Sequence, residues 1–285
     1  MEIFYLLFKT LVFRPYVFVF LGISLFAAQK LLGWSRTARF FGLTWTVAFL
    51  CEYSSTRIGI PFGNYFYTGS TVEEELYFSN IPLMDSLSFC FLLFASYSLA
   101  LAFALPPAAH KGARVAWAFD PASRISWPVV ILTVLLFTFS DIVIDPVALR
   151  GDRWFLGQIY GYPYEGIYFG VPLANFAGWA VVGGISMLGY RWMEQFWYEG
   201  EPVPKSIVGL EVLWGVGLYY GILAFNLGIT FWIGEIFMGL VGCLIFIPIT
   251  YLLMLRWWAI WRNPRNMSAD PKRRGRLESF EQECS

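Results

Sequence analysis

Residues 127–146 read WPVVILTVLLFTFSDIVIDP. No residue from Trp127 to Ser140 is charged, and the run reaches the roughly 20 residues an α-helix needs to cross a ~30 Å hydrocarbon layer. Asp141 and Asp145 close it. Acids in such a position are costly, so a membrane helix that keeps two of them points to function as well as to fold. Segments 15–32, 40–53, 81–105, 167–188, 207–229 and 231–255 have the same apolar character, and with 127–144 they predict an all-α, polytopic membrane bundle of about seven transmembrane helices. Segment 40–53 is short and needs its flanks to span. The N-terminal MEIFYLLFKTLVF, interrupted by Lys9, reads as an interfacial helix or as part of the first span, and lacks the basic region and cleavage site of a signal peptide.

Composition agrees. Of 285 residues 58% are hydrophobic and 14% charged, against roughly a quarter charged in soluble domains. Twenty basic and twenty acidic residues cancel, so no overall field recruits nucleic acid. His110 is the sole histidine and lies in a loop-like Pro-Ala-Lys stretch, which removes the ligands of bis-histidine haem, di-iron and His-triad chemistry. Cys51, Cys90, Cys243 and Cys284 form no C-x-x-C pair, so a zinc site, a redox motif and a disulfide framework all lack support. Chemistry is left to carboxylates, amides, aromatics and water.

Lys and Arg in the connections set an expected orientation. Arg36 and Arg39, Lys111, Arg114 and Arg124, Arg191 and Lys205, and the basic tail mark alternate connections as cytoplasmic. A multi-pass protein of the cell membrane follows, with its C-terminus inside and its N-terminus outside; Lys9, Arg14, Arg57, Arg150 and Arg153 run against this scheme. Residues 1–262 form the membrane domain, and the charge-rich 263–285 is a disordered cytoplasmic tail.

A weak repeat organises the middle of the chain. GIPFGNYFY at 59–67 resembles GYPYEGIYF at 161–169, and the segment from Leu76 to Asp85 resembles that from Ile167 to Asn175. Each copy joins two helices across the same face, with an acid before the loop (Glu52; Asp141 and Asp145) and Asp85 or Asn175 after it. Chance among interfacial Gly, Pro and aromatic residues is the bland alternative.

Glu52, Asp85, Asp141, Asp145, Glu211 and Glu235 lie in or near spans, and the first four fall at one face. Asp141 and Asp145, four apart, share a helix face, and two carboxyls that close in apolar surroundings disfavour ionising together. Asp85, in a first helical turn, is suited to remain a carboxylate that accepts a proton or orients water. Asn64, Asn80 and Asn175 lie in the same region, with aromatic residues that include Tyr53, Phe62, Tyr65, Tyr67, Trp154, Tyr160, Tyr164, Tyr168 and Trp179. Such rings stabilise cations or form an interfacial belt. The structural alternative for the acids is ion pairing with Arg57, Arg150 or Arg153; Glu211 and Glu235 read as structural or cavity-lining. Asp141-x-x-x-Asp145 also has the form of a Mg²⁺-diphosphate motif, though no second aspartate-rich motif accompanies it, and a retinal photoreceptor is ruled out because 231–255 holds no Schiff-base lysine.

EYSSTRIGIPFGNYFY at 52–67, IPLMD at 81–85, DIVIDP at 141–146 and YFGVPLANFAGW at 168–179 resemble the integral-membrane carotenoid hydratases, the γ-carotene and bisanhydrobacterioruberin hydratase family of carotenoid biosynthesis proteins. The resemblance covers roughly 40–255. It implies addition of water to the terminal C1–C2 double bond of an acyclic carotenoid end, without cofactor or metal. Catalytic roles are expected for Asp141, Asp145, Glu52 and Asp85, and substrate contacts for Asn175, Asn64, Tyr65, Tyr67, Trp154, Tyr164, Tyr168 and Trp179. The expected partners are a carotenoid in the bilayer, water, membrane lipid and other membrane enzymes of the same pathway. A lycopene-type cyclase, a Mg²⁺-dependent prenyltransferase, and a transporter or lipid-binding membrane protein are the alternatives.

Overall fold

The computed structural model describes residues 2–108, 115–196 and 205–262, which contain eight α-helices. They are α1 (Glu2–Phe13), α2 (Pro15–Leu32), α3 (Trp34–Ile58), α4 (Leu83–Ala104), α5 (Trp127–Ala148), α6 (Leu173–Phe196), α7 (Leu210–Trp232) and α8 (Ile236–Arg262). Six of them, α2 and α4 to α8, are long and apolar enough to cross a membrane. The polytopic all-α bundle expected from the sequence is the fold observed. His110, Lys111, Arg114, Cys284 and the tail 263–285 lie outside the described residues.

Helix boundaries differ from the hydropathy segments where polar groups find partners. The short 40–53 segment grows to the 25 residues of α3, about 37 Å at 1.5 Å per residue. Its flanks carry Arg36, which pairs with buried Glu194 at 2.9 Å, and Arg57, which reaches the Tyr53 carbonyl at 2.9 Å and the Ser79 hydroxyl at 3.1 Å. A hydropathy window counts those charges as breaks because it cannot see the pairing. Conversely, α4 starts at Leu83 because Ile81–Pro82 pairs with Tyr77–Phe78, α6 starts at Leu173 because 166–171 is folded into a bridged turn, and Ile207–Val208 pairs with Trp117–Ala118 ahead of α7. The N-terminal segment is a separate helix. It breaks from α2 at Arg14, which is buried against Glu75 at 3.0 Å and donates to the Leu156 carbonyl at 2.6 Å.

Helices α3 to α6 close a four-membered ring, α3 packing on α4 and α6, and α5 on the same two. Helix α4 is the most buried span, because α2 and α7 cover its other sides. With lipid on one side there is little hydrophobic drive between helices, so small residues that allow close approach bring them together. A Cβ on Gly183 would lie 2.9 Å from the Phe137 ring, and one on Gly178 would run into Phe62.

The repeat takes physical form in the ring. Its two loops pair antiparallel, with Phe66 opposite Gly161 and Tyr67 opposite Tyr160, while Asp85 and Asn175 each occupy the third position of the following helix. Four of the five cations that oppose the charge-based orientation are ion-paired at this same end: Lys9 with Glu74 at 3.0 Å, Arg14 with Glu75, and Arg150 and Arg153 with Glu235.

Candidate active site

The paired loops position four phenols. Residues opposite one another in an antiparallel pair share a face, and so do residues two apart, so the Tyr67–Tyr160 register aligns Tyr65 and Tyr67 of one loop with Tyr160 and Tyr162 of the other. Ring centroids are 5.4 Å apart for Tyr65–Tyr67, 6.0 Å for Tyr160–Tyr162 and 6.3 Å for Tyr65–Tyr162. Beneath these phenols lie the helix-borne carboxyls. Tyr67 bridges the first pair, its hydroxyl lying 2.5 Å from Asp85 Oδ2 and 3.1 Å from Glu52 Oε1; Ser86 donates to the other Glu52 oxygen. In the second half, Asp145 accepts from Tyr160 at 3.0 Å, Tyr162 at 3.1 Å and the Asn175 amide at 2.6 Å. Asn175 also donates to Asp141 at 2.7 Å, so one amide bridges the two carboxyls. Asp141 is fully buried, with one carboxyl oxygen lacking a partner among the described residues.

No salt bridge reaches these four carboxyls among the described residues; Arg150 and Arg153 hold Glu235, and Arg57 bonds to Tyr53, Thr56 and Ser79. The structural alternative of pairing with Arg57, Arg150 or Arg153 is therefore not what the fold does. Buried carboxyls without cations are satisfied by hydroxyl and amide donors and by sharing protons. Burial pushes the phenols of Tyr65, Tyr67, Tyr160 and Tyr162 above the ordinary tyrosine range, and the neighbouring carboxyls push the same way. The phenols stay protonated and serve as donors.

Two cavities meet at this cluster. The first, about 40 Å³, is bounded by Glu52, Asp85, Asp145, Asn175 and the four tyrosines; at roughly 10–15 Å³ per site it has room for a few waters. The second, about 100 Å³, is apolar and lies between α2, α4, α5 and α7, with Met84, Phe91, Leu92, Ile144 and Ile222 in its walls. Asp85, Asp145, Phe89, Tyr160 and Trp179 border both. Trp179 stacks on Phe89 at 4.4 Å and meets Phe137 at 4.7 Å, so a stacked aromatic pair stands beside two carboxyls.

Of the residues expected from sequence, the fold brings together Glu52, Asp85, Asp141, Asp145, Asn175, Tyr65, Tyr67 and Trp179, and places Trp154 on the apolar chamber with its indole N–H on the Val147 carbonyl at 3.0 Å. Three fall elsewhere. Asn64 is exposed and folds over Gly59, whose left-handed φ of 74° ends α3; Tyr164 is 87% exposed; Tyr168 packs on Phe169 and Phe176. Glu211 bonds to Lys205, and Glu235 to the two arginines, so both are structural. Ser86, Phe89 and Tyr162 were not singled out from sequence. The signal for Tyr162 is a Tyr-x-Tyr in each loop, Tyr65-Phe66-Tyr67 and Tyr160-Gly161-Tyr162.

Fold and site together define a polytopic membrane protein with a carboxyl-lined polar cavity that shares walls with an apolar chamber. A family model described as carotenoid biosynthesis protein matches residues 1–249, and the chain belongs to that family. No curated protein and no solved structure matches it.

Proposed function

We propose that this protein is a carotenoid 1,2-hydratase, a cofactor-independent hydro-lyase that adds water to the terminal C1–C2 double bond of an acyclic carotenoid end. The observation that carries this reading is the junction of a water-sized polar cavity with an apolar chamber at two carboxyls and a stacked aromatic pair. Hydration needs all of these within one site: a proton donor, a surface that tolerates a carbocation, a water, and a base.

Asp145 faces the chamber and gives its proton to C2, leaving a tertiary cation at C1. The hydrogen bonds from Tyr160, Tyr162 and Asn175 then hold the carboxylate that Asp145 has become, and Asp141 beside it shares the remaining proton. Trp179 and Phe89 offer their π-faces to the cation. Water in the polar cavity, oriented by Asp85, attacks C1 and passes a proton to Asp85. One proton leaves Asp145 and one arrives at Asp85; Tyr67 and Glu52 share it with Asp85, and water in the cavity that Asp85 and Asp145 both border returns it. Membership of a carotenoid biosynthesis family supports the substrate class, and the exposed apolar outer faces of the helices suit a substrate delivered from the bilayer, with the C-terminus in the cytoplasm.

Expression in a lycopene-producing host followed by mass-resolved pigment analysis tests this. Products heavier by one or two waters support hydration. An isomeric product indicates a cyclase, and unchanged pigment overturns both.

A further inference from the structure

The apolar chamber is too small for a whole carotenoid. At roughly 10–15 Å³ per water, its volume of about 100 Å³ has room for about seven to ten waters, enough for the reacting end but not for the length of the conjugated chain, so that chain must leave it. Its inner wall, Met84, Phe89, Phe91 and Leu92, belongs to the buried helix α4 and offers no way out. The outer wall is different. There α2 packs directly on α7, and rings line the contact beside the chamber: Tyr16 stacks on Phe225 with centroids 5.3 Å apart, and Phe20 meets Phe225 edge-on at 5.7 Å. All three rings line the chamber and are only partly buried.

Helical geometry makes Phe225 the boundary. Ile222 and Asn226 of the same helix are buried and line the chamber, whereas Gly221, Ala224 and Gly228 are exposed on the outer side. Phe225 lies between the two faces, at the boundary of the chamber and the outer surface. Further along, Phe26 of α2 meets Trp214 of α7 edge-on at 5.9 Å. The α2–α7 seam thus runs with aromatic edges from the chamber toward the opposite end of the bundle, about 16 Å along α7 at 1.5 Å per residue.

We propose that the α2–α7 seam at Tyr16, Phe20 and Phe225 is the binding subsite for the conjugated chain: the chamber takes the reacting end, and the polyene passes between these rings into the bilayer. Flat conjugated chains and aromatic faces stack favourably, and the rings close the site to lipid when it is empty. The proposal rests on the hydratase reading for the identity of the reacting end.

The test removes the rings. Full-length Tyr16→Leu/Phe225→Leu, which keeps apolar bulk but lacks the two stacked rings, is compared in lipid nanodiscs with the native protein and with Phe139→Leu, which removes an exposed ring of α5 outside the subsite. Thermal unfolding of each preparation shows that it is folded. Lycopene uptake is read as pigment retained per protein, and hydration as product heavier by one water. The double variant is expected to lower uptake at least tenfold, with Phe139→Leu at the native level. Uptake by the folded double variant within tenfold of native overturns the subsite, as does an equal loss in Phe139→Leu. Hydration is judged separately: uptake that responds to the ring deletions while native protein yields no hydrate keeps the seam and removes the hydratase reading.

Discussion

Replacing Asp145 by Asn keeps its size but removes the acid. Asp145 accepts three hydrogen bonds, from Tyr160, Tyr162 and Asn175. An amide offers one acceptor oxygen where the carboxyl had two, so one donor loses its partner or meets another N–H. The structural cost is one buried hydrogen bond, about 1–3 kcal/mol, and the tyrosine hydroxyls can rotate to relieve part of it. The catalytic cost is larger. Loss of a positioned proton donor lowers rate by roughly 10²–10⁴, about 3–5 kcal/mol of barrier at 1.36 kcal/mol per tenfold. Asp145→Asn should therefore still be extracted as a folded protein, with a melting temperature a few degrees lower, and form hydrated product at least 100-fold more slowly. The assay is initial rate by mass-resolved pigment analysis alongside thermal unfolding of the same preparation. A folded variant that retains a tenth or more of the native rate refutes the role of Asp145 as the acid.

Other expectations follow from the same geometry. Tyr67→Phe keeps the ring but removes the hydroxyl that bridges Asp85 and Glu52, and should lower the hydration rate about 10–100-fold, within the range of lost acid–base positioning; a change below twofold removes Tyr67 from the proton path. Gly178→Ala pushes a methyl into Phe62, an overpacking that costs about 1–3 kcal/mol, read as a lower midpoint of thermal unfolding, while unchanged stability would mean that α6 and the loop are not in close contact. Glu235→Gln breaks a partly exposed pair with Arg150 and Arg153, worth about 0–1 kcal/mol, and should leave the rate within twofold. The four site phenols titrate higher when folded than unfolded. Their contribution to stability is thus complete below the unfolded value of about 10 and is lost as pH rises above it. Ultraviolet titration should show a set of tyrosines that ionises only on unfolding, and full ionisation of all tyrosines in the folded protein near pH 10 would contradict their burial.

The helical membrane fold was legible because uncharged runs such as Trp127–Ser140 admit few other structures. Helix ends were less legible. At Arg36 the deciding fact is a partner 158 residues away, and at Ile81 and Ile207 it is a two-residue strand pairing, neither visible in a local window. The carboxyl cluster was readable from two regularities: the i, i+4 spacing of Asp141 and Asp145, and the matching positions of Asp85 and Asn175 in the repeat. What sequence did not show was which loop side chains turn inward. Asn64 and Tyr164 have the residue types of a polar aromatic site, yet Asn64 turns back on Gly59 and Tyr164 faces outward, while the strand register selects Tyr160 and Tyr162. That register depends on pairing between loops nearly 100 residues apart, so only the duplicated Tyr-x-Tyr foreshadowed it.

The central claim is tested most directly by isotope incorporation with purified protein and lycopene in nanodiscs. In H₂¹⁸O the product should gain one ¹⁸O per hydrated end as a tertiary alcohol, and in D₂O one non-exchangeable deuterium should appear at C2. An isomeric product carrying deuterium without oxygen, or a pigment unchanged in mass in both solvents, would contradict the account.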